Sequence, residues 1–145
     1  MTASAANDAS YAIRAAIRAA LLADATLSAT LVGQQIVDMA PSSHPTPYIS
    51  IVTTSDDWST ATEDGQEFQI DVNVWHQPSS QTPESGVARD IMSRVRQLLH
   101  TAQLTLAAPF TCAIIRAEAM VGPFRDPDGM TLHGVVTVRA FVDHT

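Results

Sequence analysis

The most regular stretch of the chain is Phe68 to Trp75, where Phe68, Ile70, Val72 and Val74 alternate strictly with Gln69, Asp71, Asn73 and Trp75. A period of two puts the two sets on opposite sides of an extended backbone, so this is a strand with one buried face. Tyr48 to Thr54 is a second β-rich run. Between them lies the polar, acidic segment Ser55 to Gln66, with Trp58 near its start and Asp64-Gly65 near its end. That pattern predicts a hairpin carrying a projecting arm over 55–66. Thr111 to Val121 and Leu132 to Val142 form another pair of β-branched, apolar runs, joined by Gly122 to Thr131. The joint contains Asp126-Pro127-Asp128-Gly129, in which proline presets φ, aspartate caps locally and glycine accepts positive φ.

Elsewhere the spacing changes from two to about 3.6. Ile13, Ile17 and Leu21 define one face of a helix capped by Asp8 or Ser10 and running to about Ala23, with Ala15, Ala16, Ala19 and Ala20 raising its propensity. Asp24 reads as the cap of a short second helix through Leu27 and Leu31, stopped by Gly33. Gln34 to Met39 reads as a short strand, and Pro41 to Pro47, with three prolines, as irregular chain. Gln77 to Ser85 is a polar loop. Glu84 or Ser85 opens a second long helix with Val87, Ile91, Val95, Leu98 and Leu99 toward the core and Arg89, Arg94 and Arg96 on wetter sides. The expected order is α-α-β-β-β-α-β-β over a single domain, residues 1–145. Its class is α+β, a mainly antiparallel sheet of four to five strands packed against two main helices.

Composition narrows the function. Apolar residues make up 46% and charged residues 16%, enough apolar content to build a core and too little charge for a disordered chain. All eight basic residues are arginine, and the net charge is -7, which argues against gripping nucleic acid through its phosphates. Cys112 stands alone, so no intrachain disulfide and no all-cysteine metal site is possible. Met1 to Ser10 lacks the features of a signal peptide, and no apolar run reaches the roughly 20 residues of a membrane span. The expectation is assembly in the cytoplasm, no membrane contact, and a destination there or in a particle that leaves the cell.

Candidate chemistry is sparse. Asp126 and Asp128 are spaced to share a magnesium ion, but a calcium loop's third acidic ligand and closing glutamate are missing, so a plain turn is expected. Asp56-Asp57 reads as a solvated pair. His44, His76, His100, His133 and His144 contain no close ligand pair, and His76 and His133 flank strands. Cys112 opens an apolar strand, where cysteine behaves as a small hydrophobe. No nucleophile elbow, P-loop or dinucleotide fingerprint is present. Trp58 and Trp75 have no basic groove in sequence beside them, which favours packing or a protein interface over base stacking. No catalytic residue, cofactor site or metal site is expected.

A set of motifs in order then carries a resemblance. They run from Ile13-Arg14-Ala15-Ala16 through Leu21-Leu22-Ala23-Asp24 and Leu31-Val32-Gly33 to Pro47-Tyr48-Ile49 and Asp57-Trp58-Ser59-Thr60. They continue with Glu63-Asp64-Gly65-Gln66-Glu67, Val72-Asn73-Val74-Trp75, Arg125-Asp126-Pro127-Asp128-Gly129 and His133-Gly134-Val135-Val136. Over nearly its whole length the chain resembles the tail-completion, or tail-terminator, proteins of long-tailed phages and phage-derived gene transfer agents. The resemblance implies a homohexameric ring on the head-proximal end of a tail tube, with the tail tube protein and a head connector or stopper protein as partners. It also implies DNA passing through the lumen without specific binding, and a place in the virion or gene transfer agent particle. Such a ring needs one patch meeting a different patch on its neighbour, and an acidic surface suits passage of DNA. Asp56, Asp57, Trp58, Glu63 and Asp64 are the expected interface residues. A head-side connector or minor tail subunit is the alternative, and a small metal-dependent enzyme a more distant one.

Overall fold

The computed structural model describes residues 8–30, 36–37, 46–58, 65–78 and 86–144. They form α1 (Ser10–Leu22), α2 (Ala25–Thr30), β1 (Ile36–Val37), β2 (Tyr48–Trp58), β3 (Gln66–His76), α3 (Gly86–Leu99), β4 (Phe110–Arg125) and β5 (Leu132–His144). This is the expected α+β order. The five strands make one sheet in the order β1-β2-β3-β5-β4, antiparallel except where β1 runs parallel to β2. No helix among the described residues is long and apolar enough to cross a membrane.

The alternation in β3 organises the core. Gln66, Phe68, Ile70, Val72, Val74 and His76 are all buried, and every residue between them is half-buried. In antiparallel pairs, opposed residues share a face. Ile70 stands opposite Thr53 and Val138, and Val72 opposite Ile51 and Val136, so one side of the sheet is apolar across three strands. Against that side α1 buries Ile13, Ile17 and Leu21, and α3 buries Ala88, Ile91, Met92, Val95 and Leu99. Val87 and Leu98, expected on the core face of α3, are only half-buried, because Ala88 and Met92 complete the inward stripe instead.

Polar groups join the layers at two places. The carboxylate of Asp24 accepts from Leu27 N (3.0 Å), capping α2 as expected, and from Arg94 Nη2 (2.6 Å) and Nε (3.0 Å). This fork clamps α2 to α3, and the Arg94 hydrogen bonds are the main cause holding the Asp24 carboxyl below its ordinary range. At the other place, buried Gln66 accepts from Ala9 N (2.8 Å) and donates to Asp8 Oδ1 (3.3 Å), tying the start of α1 to the start of β3. The cap position of α1 is Ala9, so neither Asp8 nor Ser10 caps it directly. Asp8 accepts from Ser10 N from one residue further out.

Three boundaries differ from expectation. The ladder between β2 and β3 continues through Asp56↔Phe68, Asp57↔Glu67 and Trp58↔Gln66, so β2 runs to Trp58 and β3 starts at Gln66, while 59–64 of the expected arm lie outside the described residues. A register shift between Thr53 and Ser55 lets the ladder continue past polar residues that break the apolar pattern. β4 reaches Arg125, taking in Gly122 to Phe124 that composition assigned to the turn. The short strand expected over Gln34–Met39 is described as Ile36–Val37; Leu31 to Gly33, Pro41 to Pro45, Glu84 and Ser85 lie outside the described residues.

One core residue pays no hydrogen bonds back. His76 is 3% exposed and neither ring nitrogen has a partner, so burial holds its pKa below the ordinary 6.5. The folded chain therefore refuses a proton that the unfolded chain accepts. The stability this group contributes is complete above about pH 6.5 and declines as the pH falls below it, until the folded form itself titrates. His133 is shifted the same way, chiefly by burial, and adds to that slope. Urea midpoints measured from alkaline to mildly acidic pH should show this decline, and His76→Leu should flatten it without lowering the midpoint at alkaline pH. An unchanged slope would assign the titration to another group.

Candidate assembly interface

The sheet has a second face, which no layer among the described residues covers. Its residues are the outward set of each strand, which the register arranges in rows. Tyr48, Trp75, His133 and Phe124 form the first row, and Ser50, Asn73, Val135 and Val121 the second. Val52, Asp71, Thr137 and Ala119 follow, and Gln69, Arg139 and Arg116 come next, before Glu67, Phe141 and Ile114.

The first row is an aromatic platform. Trp75 and His133 stack at 3.8 Å with an interplanar angle of 5°, Tyr48 stacks on the other side of Trp75 at 6.1 Å, and Phe124 meets His133 edge-on at 5.2 Å. Hydrogen bonds from the second row fix it. Trp75 Nε1 donates to Ser50 Oγ (3.2 Å), and His133 Nε2 lies 2.8 Å from Asn73 Oδ1, a contact that an Nε2-protonated ring satisfies. Phe124 reaches the row because β4 bulges between Val121 and Phe124. Gly122 makes the bulge possible: its φ is +94°, and a Cβ there would meet the His133 carbonyl oxygen and the Phe124 amide.

Lower on the face the charges satisfy one another. Arg139 donates to Glu67 (2.8 Å), Glu118 (3.0 Å) and Gln69 (3.2 Å), and Thr137 donates to Asp71 (2.9 Å). Besides Arg116, much of what remains open is apolar. Val52, Ile114, Val121, Phe124 and Phe141, five of the seven exposed large hydrophobic residues among those described, all belong to these rows. A surface of that kind, with most of its polar groups mutually bonded, is suited to covering by protein.

The β4 edge is closed differently. Thr101 N donates to the Ile115 carbonyl (2.9 Å), Ala117 N donates to His100 Nδ1 (3.1 Å), and Arg89 donates to the Gly122 carbonyl (3.0 Å). Thr101 adopts φ 59°, an uncommon value for a β-branched residue, in making its bond. The first turn of α3 and the turn after its end thus occupy backbone groups that an added strand would need.

The residues singled out in the sequence are dispersed. The backbones of Asp56, Asp57 and Trp58 end β2, while Glu63 and Asp64 lie outside the described residues, as does His44. Asp126 and Asp128 belong to the β4–β5 turn. Asp128 accepts from the amides of Met130 (2.8 Å) and Thr131 (2.9 Å) and from the Thr131 hydroxyl (2.6 Å), which holds its carboxyl below the ordinary range. Gly129 takes φ +75°, and Asp126 Oδ1 stands 3.9 Å from His133 Nδ1. Cys112 is half-buried, and burial pushes its thiol up. Among the described residues no three His, Cys, Asp or Glu side chains are grouped to hold a metal ion. The aromatic row went unrecognised in the sequence, although Trp75 fell among the outward, polar positions of the alternation.

The described residues make a two-layer α+β domain whose second sheet face, uncovered among them, is open to contact with other proteins. More particularly, the chain belongs to the family described as tail completion protein gp17, whose model matches residues 15–143. That membership makes it a structural component of a phage-type tail. Its fold is similar to that of a chain in the virion of a native gene transfer agent particle, with a TM-score of 0.74, 20% identity, and coverage of 92% of this chain and 96% of that one. No curated protein matches the sequence.

Since Asp128 works as a turn cap, the double substitution Asp126→Asn and Asp128→Asn should leave the fold nearly intact, because asparagine keeps an oxygen for the Met130 and Thr131 amides. Thermal melting with and without magnesium checks this. Tight magnesium binding by the wild type, lost in the double variant, would restore the case for a metal enzyme.

Proposed function

We propose that the protein is the tail terminator, a homohexameric ring at the head-proximal end of the tail tube. It ends tube growth and presents a surface to the head connector while DNA passes through the lumen. The carrying observation is the family match over residues 15–143, which runs from the middle of α1 to the end of β5. The likeness to a virion chain of a gene transfer agent supports the same setting, and the net charge of -7 is consistent with a conduit that does not hold its cargo. Ring stability should rise with protomer concentration and with contact at the tube, since assembly follows mass action.

The expected phenotype is specific. An uncapped tube still offers the surface on which its own subunits add, so removing the gene should yield DNA-filled heads without tails and tubes of irregular length. Electron microscopy of particles would show six-fold symmetry at the tail end. Normal joined particles in the mutant, or a ring of another order, would contradict the proposal.

Asp56, Asp57, Trp58, Glu63 and Asp64 are proposed as a contact element of the assembled ring. In sequence they bring four acidic residues within nine positions, with Trp58 the one large apolar residue among them to anchor a partner. Trp58→Ala should weaken association with the ring or tube while leaving the melting temperature of the free subunit nearly unchanged. Hydrogen exchange over 55–66 that is equally fast in free and assembled protein would remove this element from the interface.

A further inference from the structure

Most guanidinium groups of the subunit are engaged. Arg94 and Arg139 pair with carboxylates, Arg18, Arg89 and Arg125 donate to backbone carbonyls, and Arg14 has a partner as well. Among the described residues Arg96 and Arg116 make no such bond. Arg96 lies in the last turn of α3, where the helix dipole favours a cation. Arg116 has no equivalent reason within the subunit. It is exposed on the open sheet face, and the residue directly across the ladder is Arg139, a like charge. Glu67 and Glu118 are bonded to Arg139, and Asp143, two positions beyond Phe141, makes no bond to Arg116. In the adjoining row Ile114 is 44% and Phe141 39% exposed. An unpartnered guanidinium beside an exposed aromatic and an exposed aliphatic side chain has the composition of an interface centre.

The opposite lateral edge of the sheet is at the same level. β1 pairs only with Ile49 and Ser50, so among the described residues β2 has no strand on its outer side from Ile51 to Trp58. Ser55, Gln69, Arg139 and Arg116 share one row of the register, and Asp57, Glu67, Phe141 and Ile114 share the next. Level matters in a ring. Successive copies are related by rotation about one axis, and rotation changes no height along that axis. With the strands running along the axis, the β2 edge of one copy therefore meets the β4 edge of the next row for row.

We propose that, in the ring inferred above, the end of β2 in one copy docks on Arg116, Ile114 and Phe141 of the next. Asp57, with Asp56 beside it, supplies the carboxylate that Arg116 lacks within its own chain, and Trp58 covers Ile114 and Phe141. Arginine and carboxylate can form a bidentate pair, which fixes orientation as well as adding affinity. At this level the backbone of the β4 edge is already engaged, by Thr101 N at the Ile115 carbonyl and by His100 at Ala117 N, so the contact runs through side chains. One patch meets a different patch, as a head-to-tail ring requires. The contact rests on the ring reading and names the surface that receives Asp57 and Trp58.

A charge swap tests it on the full-length chain. Arg116 is exposed and unpaired in the free subunit, so Arg116→Glu should leave its melting curve nearly unchanged. Arg116→Gln, which removes the charge without reversing it, serves if the reversal lowers stability. Arg116→Glu and Asp57→Arg should each raise the concentration for half-assembly, measured by sedimentation free or on isolated tubes, by about tenfold or more, and Arg116→Gln by less. Combining Arg116→Glu with Asp57→Arg in one chain should return that concentration close to wild type, because each interface takes one residue from each copy. Rings that assemble with unaltered affinity in both single variants would overturn this contact and leave the ring intact. Single variants that weaken assembly with no restoration in the combined chain would overturn the pairing of these two residues. Failure of wild type to form rings, free or at tube ends, would refute the ring reading and the contact with it.

Discussion

The strict two-residue alternation of β3 is the constraint on which the rest of the structure depends. It makes one face of the sheet dry from Gln66 to His76 and obliges the neighbouring strands to match it. The chain supplies two long helices, and both go to that face. No described element covers the other side, so among the described residues the outward set is open. Most of its charges are bonded to one another around Arg139, and its apolar members are left open.

Closure of the β4 edge follows from the same arrangement. A sixteen-residue edge strand invites pairing with any exposed strand, which proteins prevent by covering or bulging the edge. Here α3 runs alongside, and His100, Thr101 and Arg89 take edge-facing backbone groups of β4. Bulges at three places along β4 interrupt the remaining ladder. Association is thereby shifted from backbone pairing, which is indifferent to partner, to side-chain contact, which discriminates. For the tail terminator proposed above, which would stop a polymer rather than extend one, that is the useful direction.

Most of the fold was legible because it is written in local period. Ile13, Ile17 and Leu21 at fourfold spacing and Phe68 to Val74 at twofold spacing each report their own burial, and both are completely buried. Asp24 before Leu27 gave the α2 cap, and Asp128-Gly129 gave the turn. Where local pattern failed, a distant partner decided. Ser55 to Trp58 is polar and reads as loop, yet β3 offers a continuous ladder that extends it. Gly122 and Pro123 read as a strand breaker, but β5 tolerates them as a bulge. The Arg94–Asp24 clamp spans seventy positions and has no sequence signature.

The interface was less legible for a related reason. Aromatic residues in sequence suggest core, and Tyr48, Trp75, His133 and Phe124 are scattered over four strands. Only the register shows that Tyr48 and His133 flank Trp75 and that Phe124 flanks His133. The parity of Trp75 was the available signal: in a strand whose outward positions are otherwise Glu67, Gln69, Asp71 and Asn73, a tryptophan facing out demands a reason. Stacking on His133 and bonding to Ser50 hold its ring in place between its neighbours rather than leaving it to sample rotamers. A surface group immobilised before binding loses less conformational entropy when a partner covers it, so rigidity acquired within the subunit favours association between subunits.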